Sequence, residues 1–350
     1  MDKLRLGIIG CGVIGSGAHL PAAAGSDAVE TVAVADLIDE RVRAAAEKWS
    51  VPRAYASGAE LLADPDVEAV ALAVPAGVRH ALAMAALQHG KHVLIEKPVA
   101  QNVAQVEAML AARGDRVVGC CSSRFVMLPS TRAAAECVAS GVLGPLRVVR
   151  IRALLPAGPP PSSPPPPWRV SHALNGGGIL VNWGCYDLDY VMAVTGWTLR
   201  PRTVFAQTWP LAPKLSARVD PCSDADNHFI ALIRCEGGTM LSFERGEFVS
   251  AGRDEAWQIL GQDATLQLWL HGGKNKRLTL DESFADRGVE SRPVWQGDDE
   301  GDVTRALHED FARAIRGGGQ PQTSLERALI MQRITDAIYE SARTGRAVDL

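Results

Sequence analysis

No stretch of this 350-residue chain stays apolar for the roughly twenty residues a helix needs to span a bilayer, so no membrane-spanning segment is expected. Basic residues are not in excess either. The 36 Lys and Arg against 40 Asp and Glu leave a net charge of −4, which offers nothing to nucleic acid or to an anionic lipid surface. The seven cysteines are scattered at 11, 120, 121, 137, 185, 222 and 235 without C-x-x-C spacing, which excludes a zinc ribbon and a disulfide scaffold. The eight histidines show no ligand spacing, so no metal site is predicted. A signal-peptide pattern is also missing: Met1-Asp2-Lys3-Leu4-Arg5 leads straight into a glycine-rich turn, and the expected location is the cytoplasm.

What is present begins with Leu4, Leu6, Ile8 and Ile9, a short apolar run that breaks into Gly10-Cys11-Gly12-Val13-Ile14-Gly15. G-x-G-x-x-G at the end of a strand suits dinucleotide binding. Gly10 allows a tight turn, Gly12 lets a pyrophosphate approach backbone N–H groups, and Gly15 lets a helix pack closely on the strand. The helix start offers unpaired N–H groups and the positive end of its dipole to the diphosphate, while Cys11 is needed there for its backbone alone. A second apolar run, 31–35, ends at Asp36, where an acid holds the ribose 2′-hydroxyl and repels a 2′-phosphate. Leu37 and Ile38 follow without an adjacent arginine. NAD is therefore expected over NADP, with Arg41 and Arg43 the nearest cations along the chain.

Up to about residue 120 short strands alternate with helical stretches, the pattern of βαβ units feeding a parallel sheet. Strands are predicted at 4–9, 31–35, 69–74, 92–95 and 117–121, and helices at 39–49, 79–89 and 103–112. After a helix at 131–140 the character changes. Strands at 146–154, 202–208, 228–234, 239–243, 256–261 and 265–270 follow with few helices between them, which predicts a mostly antiparallel sheet. Helices at 303–315 and 325–342 close the chain, with Ile330, Ile334, Ala337, Ile338 and Ala342 as core positions. Residues 156–167 hold eight of the 21 prolines and read as an extended surface loop.

Gly90-Lys91-His92-Val93-Leu94-Ile95-Glu96-Lys97-Pro98 resembles the glucose-fructose oxidoreductase / inositol dehydrogenase / rhizopine-catabolism (Gfo/Idh/MocA) family. The resemblance extends to Val74-Pro75 with His80, Arg124, Trp168-Arg169, the segment from Gly176-Gly177-Gly178 to Asp189, and Ala337 to Ala342. It implies an α/β fold: a doubly wound Rossmann domain at 1–122 for NAD, then a substrate and oligomerisation domain at 123–350 with a large open sheet. Homodimers or homotetramers are implied. The implied reaction interconverts a secondary hydroxyl and a ketone on a sugar or cyclitol. Val74, Pro75, His80, Glu96, Arg124, Trp168 and Arg169 map to the cofactor side. Lys97 maps to the lysine beside nicotinamide and substrate, with Arg124 close by. The family's Asp-x-x-x-His falls on Asn182 and Tyr186, so both members depart from the common pattern. A tyrosine there resembles the glucose-fructose oxidoreductase branch and some ketoreductases acting at C3 of nucleotide-linked sugars.

Removing hydride from a carbinol carbon requires the hydroxyl proton to leave in the same event, so an acid/base group must lie within hydrogen-bond reach. Tyr186 is assigned that role with Lys97 as its partner, the reverse assignment remaining open, and Asn182 is assigned to orientation. An ammonium beside a phenol favours the phenolate. Asp187, Asp189, Asp220, Asp224 and Asp226 would suit a cationic amino sugar or aminoglycoside, or they form a solvated face. His92 reads as a packing residue, and His19 stands undecided behind the turn. No pattern assigns His89, His271 or His308. Two other readings stand beside the dehydrogenase: a redox-neutral, NAD-recycling glycoside-cleaving enzyme, and a non-catalytic dinucleotide-binding sugar sensor.

Overall fold

The computed structural model describes residues 2–163 and 166–350, and the chain divides into two compact units. One comprises Met1–Arg124 and Asp302–Gln332, the other Phe125–Gly301 and Arg333–Leu350. Among the described residues no helix is long and apolar enough to cross a membrane.

The first unit is built on six parallel strands: Leu4–Ile9 (β1), Val29–Ala35 (β2), Arg53–Tyr55 (β3), Ala69–Leu72 (β4), His92–Ile95 (β5) and Val118–Cys120 (β6). Their order is β3-β2-β1-β4-β5-β6. Crossover helices Asp39–Trp49, Ala76–Gln88 and Val103–Ala112 join them, which is why β1, β4 and β5 read as almost unbroken apolar runs. The order reverses between β1 and β4, and ligands of such sheets bind outside the carboxyl ends at that point. After Asp302, whose carboxylate caps helix Val303–Gly317 through the Thr304 and Arg305 N–H groups, the chain returns to this unit.

The second unit carries nine strands: Leu146–Pro156 (β7), Pro201–Pro210 (β8), Asp226–Cys235 (β9), Met240–Val249 (β10), Asp254–Gly261 (β11), Ala264–Leu268 (β12), Gly273–Phe284 (β13), Gly288–Asp299 (β14) and Val348–Asp349 (β15). They lie in the order β14-β13-β12-β11-β7-β10-β9-β8-β15, and only the β7–β10 pair is parallel. The mixed, mostly antiparallel sheet is the one predicted.

Several elements depart from expectation. The long hairpin β13–β14 was not predicted, because β14 is exposed along most of its length and has no buried face to write an alternation. Helix Cys185–Val194 was hidden in a glycine-rich segment, and almost all of it is buried, so it shows no polar face. The single helix expected after Gly15 is a π-helical turn, Gly15–His19, followed by Leu20–Ala24 with Pro21 in its first turn. Pro164 and Pro165 of the proline-rich segment lie outside the described residues.

Candidate active site

β1 delivers the chain to Gly10, whose φ of 103° and whose Cβ position, 2.5 Å from the Ala73 carbonyl oxygen, admit only glycine. A Cβ on Gly15 would sit 1.8 Å from the Gly10 carbonyl oxygen. Gly12, by contrast, faces open space: a Cβ there meets nothing nearer than Arg41 Nη1 at 3.9 Å. Asp36, just past β2, anchors itself to the turn. Its Oδ2 accepts from the Cys11 N–H at 2.7 Å and its Oδ1 from the Ile38 N–H at 2.9 Å. Each oxygen keeps a lone pair for a further donor. Val13 is 89 % exposed and Leu37 87 %, with Ile14 and Ile38 also exposed, so apolar surface borders the turn. Room at Gly12, an anchored acid and exposed apolar side chains fit the adenosine and diphosphate of a dinucleotide. Cys11 adds backbone only: burial, then Asp36, pushes its thiol up to about 11.

At the carboxyl end of β5 the Glu96 side chain is buried and turned back on its own chain. Its Oε2 accepts from the Lys97 backbone N–H at 3.0 Å, and its Oε1 accepts from Arg124 at 2.8 Å and lies 3.2 Å from His19 Nε2. Burial alone would raise this carboxyl, yet the hydrogen bond from His19 and the Arg124 charge hold it well below the usual range. The Lys97–Pro98 peptide bond is cis. Arg79 reaches across from helix Ala76–Gln88, donating to the Val74 carbonyl through Nε and to the Pro98 carbonyl through Nη1, both at 2.7 Å. It therefore clasps the ends of β4 and β5. Pro75 immediately precedes that helix, and His80 stands on it half-buried; among the described residues its Nδ1 has no hydrogen-bond partner.

In the second unit Trp168 and Arg169 occupy the 3-10 turn Pro167–Val170. The Arg169 carbonyl accepts from Asn182 Nδ2 at 2.7 Å and from Asn175 Nδ2 at 3.2 Å, while its guanidinium pairs with Glu247 at 3.3 Å. Asn182 Oδ1 in turn accepts from Asn175 at 3.3 Å. Asn182 lies in a π-helical turn, Leu180–Gly184, that runs into helix Cys185–Val194. Tyr186, buried in the first turn of that helix, meets Phe125 edge-on at 5.1 Å and Trp183 at 5.5 Å. Beside it the Asp187 carboxylate binds Arg245 in bidentate fashion, at 2.5 and 3.1 Å, and accepts from Trp257 Nε1 at 2.9 Å. Asp226 accepts from the Gly178 and Leu180 N–H groups and from the Tyr339 hydroxyl. Asp224 accepts from the His172 N–H and Asp220 from the Cys222 N–H. Four of the five carboxylates that suggested a cationic sugar thus already serve the chain's own donors.

Within the first unit, Gly10, Cys11, Gly12, Val13, Ile14 and Asp36 form one group, and Glu96, Lys97 and Arg124 another that Arg79 ties to Val74. Within the second, Trp168, Arg169 and Asn182 belong together and Tyr186 follows on the next turn. Sequence reasoning gave no role to Arg79, Arg245 or His308. For Arg245 the signal is an arginine inside an otherwise buried stretch; for Arg79, which follows exposed Gly77 and Val78, and for His308 the sequence holds none.

Residues 4–118 match the GFO/IDH/MocA oxidoreductase family with its NAD-binding Rossmann fold, and residues 131–267 match the GFO/IDH/MocA C-terminal domain, together more than half of the chain. A D-xylose 1-dehydrogenase (NADP(+)) 2 of Haloferax volcanii is 28 % identical over 99 % of this chain and 100 % of its own length. A dTDP-3,4-didehydro-2,6-dideoxy-alpha-D-glucose 3-reductase of Streptomyces violaceoruber is 28 % identical over 97 % of this chain and 95 % of its own. Levoglucosan dehydrogenase, solved with NADH and levoglucosan, shares the fold with a TM-score of 0.84 at 23 % identity over 99 % of both chains. With both domain models matched in tandem and relatives aligned along nearly the whole length, this chain belongs to the Gfo/Idh/MocA family of NAD-binding oxidoreductases.

Proposed function

We propose that this chain is an NAD-dependent dehydrogenase that reversibly oxidises a secondary ring hydroxyl of a neutral sugar or cyclitol, with C3 of a pyranoside as the preferred position. The observation that carries the reading is the fixed main chain of Lys97 at the carboxyl end of β5, held through buried Glu96 in the same unit as the glycine turn. A bound oxidised nicotinamide supplies the hydride acceptor. Tyr186 is assigned the hydroxyl proton, with Lys97 the other acid/base group of the reaction and the reverse assignment open. Asn182 orients the segment that holds Arg169, and Arg124 neutralises Glu96 near Lys97. The 3-reductase among the relatives favours C3, and anchored Asp36 favours NAD because its carboxylate would face a 2′-phosphate. The internal use of Asp187, Asp220, Asp224 and Asp226 favours a neutral ring over an amino sugar.

The test is a panel of sugars, amino sugars and inositols with NAD and with NADP, read by the absorbance of the reduced nicotinamide. Lys97→Ala is expected to lower kcat by about 10³-fold on the best substrate, within the range for an acid/base group, and to spare NAD affinity. Turnover that survives the substitution removes Lys97 from the chemistry. NADP used as well as NAD removes the role given to Asp36.

A further inference from the structure

Behind Lys97 the first unit buries ionisable groups that the proposed reaction does not use. His19 ends the π-helical turn Gly15–His19, directly after the dinucleotide turn, and its ring is fully buried. Its Nε2 lies 3.2 Å from Glu96 Oε1 and its Nδ1 2.8 Å from His308 Nε2, the two rings stacking with centroids 5.1 Å apart. His308 comes from the far end of the chain, on helix Val303–Gly317, and is also buried.

The hydrogens in this line are determined by elimination. An ionised carboxylate only accepts, so His19 Nε2 carries a hydrogen. A neutral His19 then has a bare Nδ1, and His308 must donate to it from Nε2, which leaves His308 Nδ1 bare as well. That atom is buried and has no hydrogen-bond partner among the described residues. Protonating either ring would put a hydrogen on His308 Nδ1 and create an orphaned buried donor, which is costly. Burial, the largest cause, pushes the His308 imidazole well below its ordinary value, in the same sense. Both donated hydrogens therefore run one way, from His308 to His19 to Glu96. Cys121 lies close enough to His19 and Glu96 to suggest a metal. A cation there would compete with the Arg124 guanidinium and the Lys97 N–H for the Glu96 carboxylate, and burial pushes the Cys121 thiol well above its ordinary value.

We propose that His19 and His308 are positioning residues for Lys97. His308 fixes the tautomer of His19, His19 fixes Glu96, and Glu96 holds the Lys97 main chain. This inference rests on Lys97 acting in the chemistry.

A glutamine amide nitrogen can stand in for the Nε2 of histidine, and an asparagine amide for its Nδ1. His19→Asn, which loses the contact with Glu96, is expected to lower kcat about 10- to 100-fold while substrate KM and the NADH Kd change less than about threefold. His19→Gln, which keeps that contact, is expected to recover most of the loss. His308→Gln is likewise expected to exceed His308→Leu in kcat, and this pair carries the test if His19→Asn does not fold. Equal losses for Gln and Asn at 19 and for Gln and Leu at 308, or NADH affinity falling in step with kcat, would show a structural role only and overturn the proposal. So would a stoichiometric transition metal found in the purified protein by elemental analysis. Lys97→Ala separates the two levels: activity retained there removes the lysine reading itself, whereas an inactive Lys97→Ala beside a fully active His19→Asn removes the histidines alone.

Discussion

At the scale of single residues, a motif marks groups that are neighbours along the chain, and contacts between distant segments leave no such mark. Lys97 and Asp36 stand where the glycine turn and the Glu-Lys-Pro segment put them, since local chain geometry dictates those positions. His308 is 212 residues from Glu96 in sequence, counted from 96 to 308, and only the tertiary fold joins them through His19. Its burial has a consequence for stability. His308 is neutral in the folded chain and ordinary in the unfolded one, so about one pH unit below the ordinary value of 6.5 the unfolded state binds close to one more proton. Stability then falls as pH falls, by up to about 1.4 kcal/mol per pH unit, until the lowered folded value is reached. Glu96 acts in the same direction further down: its contribution is complete above about 4.5 and is lost as pH drops toward its depressed folded value. Unfolding free energies from urea titrations between pH 6.5 and about 5.5 should show the wild-type slope reduced in His308→Gln by about half a proton at the upper end and close to one at the lower. An unchanged slope would mean that His308 takes up its proton in the folded state.

At the scale of elements, strands with one clean buried face and helices with one apolar stripe were readable, and elements lacking that contrast were not. β14 is too exposed and helix Cys185–Val194 too buried to carry a period. That helix and the π-helical turn before it are held from outside their own sequence. Asp226, at the start of β9, accepts from the Gly178 and Leu180 N–H groups at 2.9 and 3.1 Å and from the Tyr339 hydroxyl at 2.7 Å. A buried carboxylate with three donors is an anchor for the segment that leads to Asn182 and Tyr186. Tyr339→Phe removes one donor to a charged acceptor and is expected to cost about 1.5 to 3 kcal/mol in denaturant unfolding. Asp226→Ala leaves the Leu180 N–H and the Tyr339 hydroxyl without their acceptor and the Gly178 N–H with only its 3.3 Å contact to the Tyr339 oxygen, and is expected to cost roughly 3 to 5 kcal/mol. If Asp226→Ala unfolds no more readily than Tyr339→Phe, water satisfies those donors and the carboxylate is not the anchor.

At the scale of the whole molecule, the two classes of sheet and their order along the chain were legible, because βαβ alternation and runs of consecutive strands leave different patterns. The return of Asp302–Gln332 to the first unit was not, since an amphipathic helix does not name the surface it packs on. The outer face of β8 and β9 raises the question of partners. Val204 and Ala206 point inward while Phe205 and Trp209 are exposed, and Ile230 and Leu232 are exposed opposite them, with Phe205 paired directly across from Leu232. Four large apolar side chains on one side of an open sheet are more than scattered surface residues, and a second copy of the chain would remove them from water. Self-association through this face is therefore expected. Wild-type protein should sediment as a dimer or tetramer at micromolar concentration. Leu232→Asp places a charge opposite Phe205, where burial without a counter-charge is expensive, and should weaken assembly by about 100-fold or more. The glycine turn lies in the other unit, so the NADH Kd of this variant should stay within about twofold of wild type. A monomeric wild type, or a Leu232→Asp oligomer as tight as the parent, would mean that water rather than a second copy covers Phe205, Trp209, Ile230 and Leu232.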